Sequence, residues 1–312
     1  MLSRRIIRIK VMQLLYASGR DETLTYKDLE NRYKTGVKKT HELYLLNLHY
    51  LFETARFSLQ DLHIRRSKHL PSDDDKLFSA KIYENELVTT LLQSAEYKKQ
   101  INKYLSTTEI DEANIRLLYT EFCKNELYKP YIHKSNCTRE DHAAMLLELY
   151  KTLYNYEHFN DLVEDHNAGW VDDKSLIVGA VKKTIKGLPS IEDFHTEWNE
   201  EDELTMEFGA ELLAKSFTKD KELLGMIEPM LQNWDADRVA IIDMILIKMA
   251  LCELLYFPTI PTKVTLNEFV EISKLYSTDK SKEFINGLLD RLMKKMSEDG
   301  RIQKEGRGLI DE

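Results

Sequence analysis

Apolar residues recur along the chain at helical intervals rather than in alternation. Ile6, Ile7, Val11, Leu14 and Leu15 mark a first helix over 3–18, and Gly19 follows as a stop. Leu43, Leu46, Tyr50 and Phe57 mark a long helix over 38–66, ended by the turn-rich acidic run from Pro71 to Asp75. The pattern predicts further helical stretches at 76–105, 109–129 and 138–165; the last opens on Thr138 three residues before Asp141, a variant of the capping box. Gly187 to Leu204, with Leu188-Pro189-Ser190 and then acids, reads as a linker or the start of a surface helix. Periodic segments resume at 205–217, 219–233, 236–257 and 264–276, then a last helix at 279–297, with Pro258 and Pro261 fixing one tight connection. Gly300 to Glu312 carries three glycines and no apolar period, so residues 298–312 are expected to be a flexible tail.

Composition agrees with this period. Gly and Pro together number 17, few turn residues for 312 positions, and helices need fewer turns than sheets. The fold class expected is all-α, and 43% hydrophobic residues suffice for a sizeable core. Val239 to Phe257 is long enough to raise a membrane span, but Asp243, Lys248 and Glu253 would rotate around such a helix into hydrocarbon, so it reads as a buried core helix. Cys123, Cys137 and Cys252 are odd in number and far apart, which gives no disulfide framework and no closed zinc signature. Met1 to Tyr16 lacks the small-residue cleavage site of a secretory signal, and a cytoplasmic location is expected.

Candidate catalytic chemistry is sparse. No phosphate-binding glycine loop, nucleophile elbow or His-Glu-x-x-His string occurs, and every histidine lies at or before His195. His133, Cys137 and His142 come nearest to a metal cluster, although Cys137 precedes the Thr138 cap and reads as a loop residue. The tyrosines between Tyr83 and Tyr156 sit at helical spacing, as core and rim residues do more often than base-stacking platforms. No cofactor is implied.

Charge is more informative. The chain carries 44 Lys and Arg against 53 Asp and Glu, a net −9, which on its face argues against broad nucleic-acid coating. Nine of those acids lie between Glu192 and Glu211 with no base among them, which leaves 44 against 44 elsewhere. The first twenty residues stand at +5. Arg4, Arg5, Arg8 and Lys10 gather opposite the apolar stripe of the first helix, suited to phosphates and, through the arginine forks, to unpaired bases; Tyr16 could stack on such a base. A solvated amphipathic helix would show the same pattern.

The first helix, Arg4-Arg5-Ile6-Ile7-Arg8-Ile9-Lys10-Val11-Met12-Gln13-Leu14-Leu15-Tyr16, resembles the arginine-rich first helix of the NusB family of transcription antitermination factors. A longer likeness runs through Trp234, Arg238 to Ile242, Cys252 to Leu255, Ile260-Pro261-Thr262-Lys263-Val264-Thr265-Leu266-Asn267-Glu268 and Lys280 to Asp290, which contains Phe284-Ile285-Asn286-Gly287-Leu288-Leu289-Asp290. The resemblance covers Ser3 to Gly19 and about Thr205 to Met296, and it implies a NusB-like bundle of two packed subdomains whose N-terminal half is enlarged by extra helices. The expected organisation is residues 1–20 as the arginine-rich helix, 21–204 as a helical insertion, 205–297 as the NusB-like core and 298–312 as the tail. Ile6 and Lys10 change the family's usual Arg and apolar positions in the first helix, which would rotate its basic face, and Lys280 stands where the family often has an acid.

The same resemblance implies a non-enzymatic factor that binds the boxA element of nascent ribosomal transcripts as a heterodimer with the small-subunit ribosomal protein NusE, and helps RNA polymerase resist termination. It places Lys280, Lys282 and Phe284, at the start of the last helix, beside the arginine-rich helix on the RNA surface; core packing is the alternative for Phe284. Pro261 and Gly287 read as fold residues, a fixed bend and a close helix contact, and Trp234 as a core plug. Monomer and homodimer both remain open. Two other readings are a protein-only helical scaffold and an appendage of a ribosomal-RNA cytosine methyltransferase, although no glycine-rich cofactor loop or Pro-Cys follows the helical part.

Overall fold

The computed structural model describes residues 4–106, 108, 110–190, 203–231, 238–278 and 281–311. Among them are fifteen α-helices and no strand, an all-α fold. Trp234 and Lys280, both singled out by the sequence, lie outside the described residues, as does most of the acidic run that begins at Glu192. The chain divides into two compact units, one of Lys38–Asn199 and one joining Leu2–Val37 to Glu200–Glu312.

Helix α2, Tyr26–Arg66, contributes its residues from Lys38 onward to the first unit and its opening turns, through Val37, to the second. This helix starts twelve residues before the expected position, because Thr25 caps it. Thr25 Oγ1 accepts from the Asp28 backbone N–H at 3.3 Å while the Asp28 carboxylate accepts from the Thr25 N–H at 2.9 Å. Leu29, Tyr33 and Val37 form a one-residue-wide buried stripe through an otherwise charged stretch, too narrow to raise the period.

The stretch expected as one helix over 76–105 is three: α3 (Asp73–Leu77), α4 (Glu86–Gln93) and α5 (Ala95–Leu105). Local caps cut it. Asn85 Oδ1 accepts from the N–H groups of Leu87 and Val88, and Ser94 Oγ accepts from that of Tyr97. The acidic break itself is a helix start, since Ser72 and Asp75 form a capping box and Asp75 also accepts from Lys68 Nζ at 2.9 Å. Likewise 109–129 resolves into α6 (Glu112–Phe122) and the start of α7 (Tyr128–His133), and 138–165 into α8 (Arg139–Asn155) and α9 (Glu157–His166). The capping box of Thr138 and Asp141 is present at the head of α8. A further helix, α10 (Trp170–Gly187), fills the interval after 165 where no periodic segment was expected. Its buried stripe of Trp170, Ile177, Val181 and Ile185 is interrupted by Asp173, which is buried and accepts from Thr40 Oγ1 at 2.7 Å.

Buried polar pairs pin α2 to α8 and α10: Tyr150 Oη donates to Asn47 at 2.9 Å, and Tyr44 Oη meets Thr184 Oγ1 at 2.6 Å. Tyr97, Tyr119, Tyr128, Tyr131 and Tyr150 are buried, as core residues. His142 Nδ1 lies 2.7 Å from Tyr131 Oη and His133 Nε2 lies 3.5 Å from Asp74, so the imidazoles beside Cys137 face protein partners. Among the described residues no group of three His, Cys, Asp or Glu side chains is arranged to hold a metal ion.

The second unit packs α1 (Arg4–Arg20) with α11 (Glu203–Thr218), α12 (Asp220–Ile227), α13 (Ile241–Tyr256), α14 (Thr262–Tyr276) and α15 (Ser281–Glu298). α13 is the central core helix, predominantly apolar, with Leu246, Ile247, Ala250, Leu251 and Leu254 fully buried. Its three charges have partners: Asp243 accepts from Ser277 Oγ, Lys248 pairs with Asp220 at 2.5 Å, and Glu253 meets an arginine described below. Among the described residues no helix is long and apolar enough to cross a membrane.

The close helix contact in this unit belongs to Gly209, not to Gly287. A Cβ at Gly209 would lie 2.0 Å from Tyr33 Oη and 2.4 Å from Ile7 Cγ2, whereas a Cβ at Gly287 meets nothing within 4 Å. Pro261 immediately precedes α14 in extended backbone, the bend expected of it. The C-terminal segment is not a loose tail over 301–311: Glu305 N–H donates to Pro258 O and Lys304 Nζ to Phe257 O, both at 3.0 Å, and a 3₁₀ turn follows at Gly306–Asp311. Backbone groups left open after α13 are thereby satisfied, which apolar period alone could not reveal.

Candidate nucleic-acid interface

The candidate surface is the N-terminal half of α1 with the flanking faces of α14 and α15. Ile6, Ile7, Ile9, Val11 and Met12 are all buried, an apolar arc wider than the stripe read from the sequence. Arg8 falls inside that arc. The sequence placed it on the solvent face with Arg4 and Arg5; the structure buries it, 1% exposed. Its Nε and Nη2 each donate to Glu253 at 2.7 Å, and Thr265 Oγ1 donates to the same carboxylate at 2.7 Å. The guanidinium carbon also lies 5.2 Å from the centroid of the Phe208 ring and 5.7 Å from that of Phe269, within cation–π range of both. Arg8 is thus part of the core, with no donor fork turned to solvent in this conformation.

Arg5 is intermediate. Its side chain is 41% exposed, and its Nε and Nη2 donate to Glu268 at 2.8 and 2.7 Å. The bond to Glu268 raises the pKa of Arg5 above its ordinary value despite partial burial. Arg4 is exposed, with its guanidinium 5.5 Å from the Phe208 ring. Lys10 is half-buried on the same helix. Tyr16 is exposed near the helix end with the Arg20 guanidinium 5.3 Å from its ring, a pair of flat groups open to water.

Lys282 is exposed in the first turn of α15, and Phe284 is half-buried beyond it. Glu271 on α14 has its pKa lowered first by a hydrogen bond from Lys274 and further by the charges of Arg5 and Lys282.

Glu253 and Glu268 were not recognised from sequence as the acids that hold the first helix, although one signal was available. A glutamate near the C-terminal end of an otherwise apolar core helix requires, once buried, a cation or several donors, and Glu253 has both.

Residues 182–294 match the NusB family model. The chain is 40% identical over 111 residues to the transcription antitermination protein NusB of Salinibacter ruber, an alignment covering 36% of this chain and 69% of that protein. It is 48% identical over 79 residues to the protein of the same name from Chloroherpeton thalassium, covering 25% of this chain and 37% of the relative. For that of Natranaerobius thermophilus the figures are 41% over 71 residues, 23% and 51%. The chain thus spans between about a third and two thirds of the length of these relatives. No solved structure matches it.

Proposed function

The chain belongs to the NusB family, and from that premise we propose that it is a non-enzymatic transcription antitermination factor that binds boxA-type single-stranded RNA of nascent ribosomal transcripts. In this reading it acts as a heterodimer with the ribosomal protein NusE on the RNA polymerase elongation complex. The compact unit formed by Leu2–Val37 and Glu200–Glu312 supports the assignment of the NusB-like part, with the inserted helices forming a core of their own.

The observation that carries the RNA reading is the set of solvent-accessible bases, Arg4 exposed and Arg5 with a side chain 41% exposed on α1, together with Lys282 exposed in the first turn of α15. A helix N-terminus with a lysine in its first turn attracts phosphate, and the exposed Tyr16 offers a ring to an unstacked base, with the half-buried Phe284 beside the helix start. Phosphate binding then falls to Arg4, Lys10, Lys282 and the open edge of Arg5, while Arg8 holds α1 in place.

Photocrosslinking of the full chain to a boxA-type strand tests this reading. Crosslinks are expected in peptides containing Tyr16 and Phe284. Crosslinks confined to residues 38–199 would contradict it.

A further inference from the structure

The proposed RNA face already contains an anion. Glu268 takes the Nε and Nη2 donors of Arg5, the same side-on pair that a phosphate uses. The bridge is partly wet, with Arg5 and Glu268 side chains 41% and 22% exposed, so a strand can reach it. Glu268 also has a second cation, because Arg8 Nη1 lies 3.7 Å from its Oε2. Arg8 is fixed by Glu253 and cannot follow Arg5 outward. Departure of Arg5 therefore leaves the Glu268 carboxylate beside a retained guanidinium rather than stranded. Glu271 is likewise provided for, by its bond to Lys274 and by the nearby Lys282.

Resting on the RNA reading above, we propose that Glu268 is a specificity-determining residue, an internal anion that occupies the Arg5 fork until a well-docked RNA phosphate replaces it while Arg8 retains the displaced carboxylate. A strand held by one or two other contacts presents its phosphate to Arg5 weakly and loses to a carboxylate tethered in the same molecule. A strand seated along Arg4, Lys10, Tyr16 and Lys282 presents its phosphate at high effective concentration and wins the exchange. Arg5 thus strengthens cognate complexes more than accidental ones.

The test compares wild type, E268Q and E271Q in anisotropy titrations with a boxA-type strand and with an unrelated single strand of equal length. E268Q is expected to bind the unrelated strand about fivefold more tightly and the boxA-type strand with a smaller gain, so the ratio between them narrows. E271Q removes a neighbouring charge without freeing the Arg5 fork and should leave the ratio unchanged. If circular dichroism shows E268Q unfolded, R5K serves instead, because an ammonium keeps the charge but forms no side-on fork and should narrow the ratio in the same direction. Equal gains for both strands, unchanged or weaker binding, or an equal narrowing in E271Q would overturn the proposal. A wild type that binds neither strand at low salt would remove the RNA reading and this inference together, whereas normal wild-type discrimination with an unaltered ratio in E268Q would remove this inference alone.

Discussion

Arg8 on α1 and Glu253 on α13 are joined by two parallel 2.7 Å bonds with both side chains out of water. Burying two charges costs solvation that their attraction repays only when the remaining donors and acceptors are also satisfied. Here Thr265 takes one more oxygen position, and Phe208 and Phe269 lie within cation–π range of the guanidinium. The pair attaches the basic helix to the central helix of its unit, so the surface that Arg4 and Lys10 present depends on a residue that does not share it.

Arg8→Ala is therefore expected to lower stability by about 3–5 kcal/mol, because it leaves Glu253 buried without its cation. Replacing both residues by apolar side chains of similar volume should recover most of that loss. Urea unfolding followed by circular dichroism distinguishes this from a surface role, in which Arg8→Ala would leave the midpoint unchanged.

Gly209 makes a second, independent prediction. Gly209→Ala puts a methyl 2.0 Å from Tyr33 Oη and 2.4 Å from Ile7 Cγ2, an overpacking expected to cost about 1–3 kcal/mol. Adding Tyr33→Phe removes the nearer atom and should return part of the loss. Gly287→Ala, in open space on a helix, should be neutral or slightly stabilising, and thermal melts of the three variants against wild type check all of these outcomes.

Asp141 is one of the carboxylates that contribute to the acid limb of stability. Its carboxyl is lowered to about 2 by Lys134, by the Thr138 N–H and by lesser neighbours. A folded pKa below the unfolded one, near the ordinary 3.8, contributes stability that is complete above about pH 4 and is lost as pH falls toward 2. Asp141→Asn should flatten the loss of melting temperature in that window and leave the profile above it parallel to wild type.

The parts legible in the sequence were those written in local chemistry. Thr138 and Asp141 announced their own cap, and the buried, non-membrane character of α13 followed from the rotation of Asp243, Lys248 and Glu253. What escaped was set by partners far along the chain. The apolar stripe of α10 is interrupted by Asp173, whose burial is offset by partners such as Thr40 on another helix, out of reach of a local period. Gly209 has no local signature, since its need arises from Tyr33 and Ile7. Arg8 was misplaced for the same reason: spacing put it with Arg4 and Arg5, while Glu253 drew it into the core. Of the candidate interface, the identity of the basic helix could be read, but which of its bases face water could not.

The central claim is that RNA is held by Arg4, Lys10 and Lys282 around α1 and α15, with Arg8 serving the fold. It is tested most directly by the salt dependence of binding to a boxA-type strand for wild type and the Arg4→Ala, Lys10→Ala, Lys282→Ala triple variant. Each single-strand phosphate contact adds about 0.7 to the slope of log affinity against log salt, so the triple variant should lose about 2 units of slope and bind more weakly at low salt. Superimposable lines for the two proteins, each shown to be folded, would contradict it.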